Sequence, residues 1–174
     1  VYATTEAAEA LLLGGYTAVL DAGELLQYGP TAEVFHTPKS IRVARAFSDP
    51  PMNLIAGEAV NTGIQMTAGP SIQIPLPAAA SRALTLGVRA PALRVHARTG
   101  DVALPGTVEL AEISGSDTFV HVATAVGELV AQLTGVHDFA LGAPITLHLN
   151  PAQVYVFDAA GTLLVAPPRS GRTA

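Results

Sequence analysis

The stretch VLDAGELLQYGPTAEVFHTPKSIRVARAFSDPPMNLI, residues 19–55, decides the fold. Its pattern predicts two short strands and then two short helices. The strands flank Asp21-Ala22-Gly23, which has the residue types of a tight turn. Pro30 suits the first turn of a helix, because the N–H that proline lacks would be unpaired there. Pro38 and Pro50-Pro51 end the next two segments, so the chain changes character at about residue 50.

The composition narrows the class of protein. Hydrophobic residues make up 49% of the chain and charged residues 13%, about half of the usual ~25%. Either the sequence is simply rich in Ala, Val and Leu, or part of its apolar surface is meant for a partner. There is no cysteine, which excludes disulfides. The net charge of −5 argues against nucleic acid as a partner, since that binding depends on Lys and Arg.

Residues 51–174 read as a mainly β segment. Helical periodicity disappears after Pro50-Pro51, and short β-type runs separated by turn residues take over. Many short strands at this spacing predict a small barrel or sandwich. The predicted strands are Asn53–Val60, Gly63–Thr67, Ser71–Ile74, Ala83–Arg89, Thr107–Ile113, Thr118–Thr124, Glu128–Thr134, Pro144–Leu149 and Val154–Asp158.

One predicted strand has an irregular alternation. In Thr107–Ile113 we expect Val108, Leu110 and also Ile113 to face one way, with Glu109 and Glu112 offset. The offset indicates a β-bulge in this strand.

The first residues predict an element of their own. Val1–Thr4 is β-prone and would be buried in a parallel sheet. A helix is expected over Glu6–Leu13, with Thr5 as its N-cap. We expect residues 1 to about 50 to fold poorly on their own and to pack on the second segment, exchange with a partner chain or move.

The deciding stretch resembles the ATP-binding subunits of ABC importers of the sugar and polyol type. The resemblance lies in Val19–Glu24, in Gln27–Pro30 followed by Ala32–Phe35, in Pro38, in Val43–Phe47 and in Pro50–Ile55. In that family this run closes the nucleotide-binding domain and leads into a C-terminal regulatory domain. The resemblance therefore implies that residues 1–50 are an α/β remnant of a P-loop ATPase domain.

The second segment resembles the regulatory domain of the same family. Leu86-Gly87-Val88-Arg89, residues 106–118 and residues 142–157 are similar to motifs of the transport-associated OB-like (TOBE) domain. The family has Pro-Glu-His after the arginine, whereas this chain has Ala90-Pro91-Ala92. The resemblance implies an OB-like small barrel over residues 51–174.

The same resemblance implies a function and also marks what this chain lacks. Thr5 occupies the position of the family's switch-loop histidine, and threonine cannot act as a proton-handling partner for a phosphate. No GxxxxGK[ST] loop, Asp-Glu strand end or Ser-Gly-Gly-Gln signature is present. We therefore expect ATP and Mg to bind elsewhere in the full-length subunit. No catalytic or cofactor-binding residue is predicted in this chain, which should be inactive on its own.

The partners and location follow from the family. The resemblance implies a homodimer of the ATP-binding subunit beneath membrane permease subunits, peripheral to the cytoplasmic face of the inner membrane. The solute would be a sugar, a polyol or a glycerol-phosphate, with a polyamine or another small solute as the nearest alternatives. Two other classes remain open: a stand-alone module that binds a small ligand or oxyanion, and a structural dimerisation module.

Arg89 is the candidate site residue. It follows an apolar strand and precedes a proline turn. One interpretation is an arginine that ties the barrel through a carboxylate such as Glu109 or Glu112, and the other is a contact to a neighbouring subunit or an anion. The five histidines have no paired spacing and no cysteine beside them, so no metal site is predicted.

Overall fold

The N-terminal part is a β-hairpin with short helices around it. The structure, a computed structural model, describes residues 1–78 and 80–169. Both strands of the hairpin, its turn and the two helices that follow confirm the prediction. In chain order the elements are α1 Ala7–Leu13, β1 Tyr16–Asp21, β2 Glu24–Pro30, α2 Thr31–His36 and α3 Ile41–Ala46.

The hairpin turn forms where the sequence predicts it. β1 and β2 pair antiparallel, and Asp21 pairs with Glu24 across the turn. Ala22 and Gly23 both have positive φ, at 50° and 78°. This left-handed conformation favours glycine, which explains why Gly23 stands there.

The first residues differ from the prediction. Val1–Thr4 is not a strand and is exposed, because the described residues provide no neighbouring strand with which its backbone could pair. The N-cap of α1 is Glu6 rather than Thr5. The Thr4 hydroxyl instead accepts a hydrogen bond from the Glu6 backbone N–H at 2.9 Å. All strand pairs between the described residues are antiparallel, so the P-loop remnant stays a prediction.

The remaining chain is built of strands. All nine predicted strands are present, with ends shifted by a few residues. Leu93–Arg94, Leu163–Val165 and the first half of the longest strand were not predicted. The strands are β3 Asn53–Val60, β4 Gly63–Met66, β5 Ser71–Ile72, β6 Ala83–Val88, β7 Leu93–Arg94, β8 Val102–Ser114, β9 Asp117–Thr124, β10 Gly127–Thr134, β11 Pro144–Leu149, β12 Tyr155–Phe157 and β13 Leu163–Val165.

These strands form two sheets around one core. The first sheet has the order β13-β12-β6-β3-β4-β5 and the second the order β10-β9-β8-β11-β7. Apolar side chains from both sheets meet in one buried cluster, as Ile55 and Leu86 of the first sheet do with Val120, Leu129 and Leu147 of the second. β10 also lies against β7 and β3, so the two sheets together form a nearly closed, OB-like barrel. The fold is mainly β, as predicted.

The predicted bulge is present in β8. Val108 pairs with Val122 and Leu110 pairs with His121, which leaves Glu109 as the extra residue. Because neighbouring residues of β9 point to opposite faces, Val108 and Leu110 do so as well. Val108 is buried, whereas Leu110 is 41% exposed. The prediction that these two side chains share a face is therefore wrong.

Asn53 joins the two sheets through its side chain. Its Nδ2 donates to the Val130 carbonyl at 2.9 Å, and its Oδ1 accepts from the Val130 N–H at 2.7 Å. The side chain thus pairs with the backbone of β10 as a neighbouring strand would. Asn53 is only 7% exposed, so water cannot readily replace these bonds.

We predict that Asn53→Ala lowers the free energy of unfolding by about 1–3 kcal/mol, because it leaves the buried N–H and C=O of Val130 unpaired. Equilibrium urea unfolding measures the change. Asn61→Ala, at an exposed turn position, is the matched control and should change the free energy by less than about 0.5 kcal/mol. Equal effects at the two positions would show that the Asn53 side chain does not hold the sheets together.

Candidate functional site

Arg89 lies where the N-terminal part meets the barrel. It follows β6 directly and precedes a short 3-10 turn at Ala90–Ala92. Its Nη1 donates to the Phe47 carbonyl at 2.7 Å and to the Ser48 hydroxyl at 2.6 Å. Its Nη2 donates to the Phe35 carbonyl at 2.7 Å. One guanidinium therefore binds the chain at two places before the barrel begins.

The two carbonyl groups belong to helix ends. Phe35 is in the last turn of α2, and Phe47 is the C-cap of α3. The final carbonyl groups of a helix have no partner within it and carry its partial negative charge. A cation at this position is favourable, and the planar guanidinium can bind both helix ends at once.

Aromatic side chains surround the guanidinium. The Cζ atom of Arg89 is 4.0 Å from the centroid of the Phe35 ring and 5.4 Å from that of Tyr155. The Tyr155 hydroxyl also accepts a long hydrogen bond of 3.4 Å from Nε. Contact with an aromatic face adds a cation–π attraction. We call Phe35, Phe47, Ser48, Arg89 and Tyr155 the junction cluster.

These partners differ from the carboxylates that the sequence suggested. The guanidinium donates to neutral oxygens, while Glu109 and Glu112 are exposed on β8. Backbone carbonyl groups carry no signal in the sequence, which is why the real partners were missed. The aromatic residues of the stretch 19–55 were the sequence feature that could have pointed to these partners. A contact of Arg89 to another subunit or an anion stays a prediction.

His36 lies next to this cation. Burial lowers the pKa of His36, and the positive charges of Arg169 and Arg89 lower it further. His36 is therefore neutral at pH 7, so it adds no second positive charge beside the guanidinium.

Apolar packing and backbone bonds reinforce the junction. Ala44 of α3 is buried in one cluster with Met52, Tyr155 and Phe157. The backbone also pairs across the junction: the Ile41 N–H donates to the Gly161 carbonyl at 2.9 Å, and the Leu163 N–H donates to the Lys39 carbonyl at 3.0 Å.

Gly87 explains part of the motif that precedes Arg89. A Cβ atom at this position would lie 2.5 Å from the Met52 sulfur and 2.8 Å from the Phe157 ring. Both distances are too short for a carbon atom, so only glycine lets Met52 and Phe157 close over β6. The Leu86-Gly87-Val88-Arg89 motif thus combines a glycine that allows close packing with the arginine that binds the two helix ends.

Thr5 is exposed in the segment before α1. Among the described residues its side chain takes part in no hydrogen bond. Its position as the counterpart of a switch histidine stays a prediction.

Two further observations concern membrane-spanning helices and metal sites. No helix among residues 1–78 and 80–169 is both long and apolar enough to cross a membrane. In the same part of the chain, no three His, Asp or Glu side chains come together as metal ligands would.

The match to a family model falls on the barrel. The model of the TOBE domain matches residues 86–157, which include Gly87, Arg89 and Tyr155. This segment is a TOBE domain. The domain thus supplies Arg89 and Tyr155 of the junction cluster, and the chain before it supplies the helix ends.

Two relatives match this chain across both of its parts. The sn-glycerol-3-phosphate import ATP-binding protein of Escherichia coli O6:H1 is 32% identical over 164 residues, which cover 91% of this chain and 45% of that protein. The alpha-glucoside transport ATP-binding protein of Rhizobium meliloti is 28% identical over 170 residues, covering 92% and 47%. The chain spans about half the length of these relatives. The predicted resemblance to the C-terminal part of ABC importer ATP-binding subunits is confirmed.

One solved structure has a weaker likeness. The cytoplasmic molybdate-binding protein ModG is similar at a TM-score of 0.46 and 16% identity, over 60% of this chain and 94% of that chain. This likeness is too low to assign a ligand to the barrel.

We predict that Arg89→Leu lowers the free energy of unfolding by about 2–4 kcal/mol, because the carbonyl groups of Phe35 and Phe47 lose their partner. Urea unfolding gives the size of the change, and amide hydrogen exchange over residues 35–48 gives its place. Arg82→Leu is the control, since Arg82 is 83% exposed and pairs with the exposed Glu58. It should cost less than about 1 kcal/mol.

Two outcomes would contradict this role of Arg89. Unchanged stability and unchanged exchange would show that the guanidinium does not tie the two parts together. Unchanged stability with altered self-association in light scattering would instead support a contact between subunits.

Proposed function

We propose that this chain is the regulatory portion of the ATP-binding subunit of an ABC importer that energises uptake of a small solute. The observation that carries the proposal is the similarity to importer ATP-binding proteins over 91% of the chain, across junction and barrel together. The names of the relatives favour a glycerol-phosphate or a sugar as the solute, and a polyol belongs to the same chemical class.

The junction cluster would connect the two parts of such a subunit. A barrel can influence an ATP-binding domain only if the connection between them keeps its geometry. Arg89 binds the ends of α2 and α3 from the last residue before the 3-10 turn. The junction cluster would therefore hold the barrel in one orientation relative to the hairpin.

The exposed face of the hairpin supports a larger assembly. Tyr16, Leu20, Leu25 and Tyr28 are 57–69% exposed, and the rings of Tyr16 and Tyr28 stack with centroids 5.7 Å apart. An exposed apolar face of this kind marks an interaction site. In the proposed subunit, the ATP-binding domain would cover it.

The proposal assigns partners and a place. The subunit would act as a homodimer with membrane permease subunits, at the cytoplasmic face of the membrane. ATP and Mg would be held by an ATP-binding domain, because this chain has neither the phosphate-binding loop nor the acidic strand end that they require. The contribution of this chain would be regulation and dimer contacts.

We predict that the purified chain hydrolyses no ATP. Positioning of the phosphates by a Gly-rich loop and of Mg by acidic residues is the main source of catalysis in such enzymes. Phosphate release with Mg present should equal that of a heat-killed sample. Turnover above this control would contradict the assignment of catalysis to another domain.

We predict that a chimera supports transport. In this chimera the chain replaces the matching part of the E. coli glycerol-3-phosphate import ATP-binding protein, in cells that lack that protein. Uptake of sn-glycerol-3-phosphate should return. It should be lost again in the double variant Leu20→Asp/Tyr28→Asp, because two buried carboxylates would separate the hairpin from the ATP-binding domain.

The control for the chimera is Val60→Asp, an exposed apolar position of β3 on the barrel side, which should leave uptake unchanged. The proposal fails if the chimera accumulates and hydrolyses ATP but gives no uptake. Saturable stabilisation of the isolated chain by a small ligand, without any partner, would then favour the stand-alone binding module.

A further inference from the structure

The outer side of the second sheet carries side chains that the barrel core does not use. Strands β8, β9 and β10 lie next to one another in this sheet, and neighbouring residues of a strand point to opposite sides. Val120 and Val122 of β9 are buried in the core. The residues that alternate with them therefore face outwards, and these are Phe119, His121 and Ala123.

The strand register places side chains of all three strands in one row on this side. Leu110 of β8 and Val130 of β10 both pair with His121 of β9. The His121 ring also lies 3.0 Å from the Glu128 carboxylate, and Glu128 is two residues from Val130 on the same strand. The row of Leu110, His121 and Val130 therefore forms one continuous surface with Glu128.

A second row lies directly beside the first. Phe119 of β9 pairs with Glu112 of β8 and with Gln132 of β10. The Gln132 amide donates to the Asp117 carboxylate at 2.7 Å, which places Asp117 on the same side of the sheet. We call these two rows, with Asp117 and Glu128 at their ends, the outer face of β8–β10.

The centre of this face is apolar and accessible. Leu110 is 41% exposed, and the side chain of His121 is 27% exposed. Phe119 and Val130 are half-buried, and none of the apolar clusters of the described residues includes Leu110, Phe119 or Val130. Adjacent apolar side chains outside the core form a patch, and such a patch marks an interaction site where a single exposed residue does not.

The rim of the face is acidic. Glu112 and Glu128 are exposed at its opposite edges, on β8 and β10, and Asp117 is half-buried. The three strands contain no Lys or Arg. An apolar centre within a polar rim is the usual organisation of a protein interface. A rim with one sign of charge favours a partner with the opposite sign.

The size of the face limits the kind of partner. Three strands about 4.8 Å apart, over about six residues of about 3.3 Å each, give an area of about 300 Å². A stable interface between two folded proteins buries about 800 Å² on each partner. A second copy would find too little contact here, and its carboxylates would repel those of the first copy. A single helix, about 10 Å across, matches this area.

We propose that the outer face of β8–β10 binds a single helix of a partner protein, with apolar residues on one side and Lys or Arg along its edges. Leu110, Phe119 and Val130 would contact the apolar side, because a helix and a sheet bury their apolar surfaces against each other. Glu112 and Glu128 would pair with the cations at the two edges. The face lies on the barrel and not on the hairpin, so its role does not rest on the proposed transport function.

The test uses the whole chain and a synthetic peptide of about 18 residues, with Leu along one helical side and Lys along its edges. Calorimetry measures the affinity, and amide chemical shifts locate the site. We expect saturable binding with shifts concentrated in residues 110–132. Added salt should weaken the binding, and a peptide with Glu in place of Lys should not bind.

The apolar centre is tested with two matched double variants. Leu110→Ser/Phe119→Ser should weaken binding about tenfold or more, because two apolar contacts are lost. Leu12→Ser/Val60→Ser removes two exposed apolar side chains elsewhere and should leave the affinity nearly unchanged. If the loss of Phe119 prevents folding, Leu110→Ser alone tests the same contact and should weaken binding about threefold.

The acidic rim has its own pair of variants. Glu112→Lys/Glu128→Lys should weaken binding about tenfold or more, since two attractive pairs become repulsive. Glu6→Lys/Glu33→Lys makes the same change of net charge at exposed positions of the N-terminal part and should leave the affinity nearly unchanged.

Four outcomes would overturn the proposal. The first is the absence of saturable binding to the Lys peptide. The second is equal weakening by both charge variants, which would mean general attraction to an acidic protein. The third is a set of shifts confined to residues 16–30, which would place the peptide on the hairpin. The fourth is self-association in sedimentation that Leu110→Ser abolishes, which would make a second copy the occupant.

Discussion

The contact between the Arg89 guanidinium and the ends of α2 and α3 is the constraint on which the arrangement of the chain depends. Helices of six residues have few internal hydrogen bonds, and their last carbonyl groups need partners from elsewhere. Arg89 supplies them from the barrel, with distances of 2.7 Å to both carbonyl oxygens. The same bonds that complete the helices therefore fix them to the barrel.

The core of the barrel is a separate contribution to stability. Its residues alternate along β3, β6, β9 and β11 and meet between the two sheets. Alternation of this kind is visible in a sequence, because it follows directly from the two-residue period of a strand. That is why the strands were predicted well. The first half of β8 was missed because Pro105-Gly106 resembles a turn, although Pro105 lies in a continuous strand opposite Thr146.

The site was predictable only in part. The sequence singled out Arg89 because a cation at the end of an apolar strand needs a partner. It could not show which partner, since the acceptors are carbonyl groups that every residue has. The bulge at Glu109 was predicted, but its effect on Leu110 requires the register with β9. The missing strand at Val1–Thr4 has a similar cause, because strand pairing depends on neighbours that are distant in sequence.

The exposed apolar face of the hairpin lies beside a charged turn. Arg42 pairs with Asp21 at 2.9 Å and with Glu24 at 2.8 Å, so one cation faces two carboxylates and the turn keeps one negative charge. The bonds of Arg89, the buried packing of Ala44 and the backbone bonds of Ile41 and Leu163 all connect this hairpin region to the barrel. A partner bound at the hairpin would therefore act on the barrel through these contacts together, and their number makes the connection stiffer than a single flexible linker.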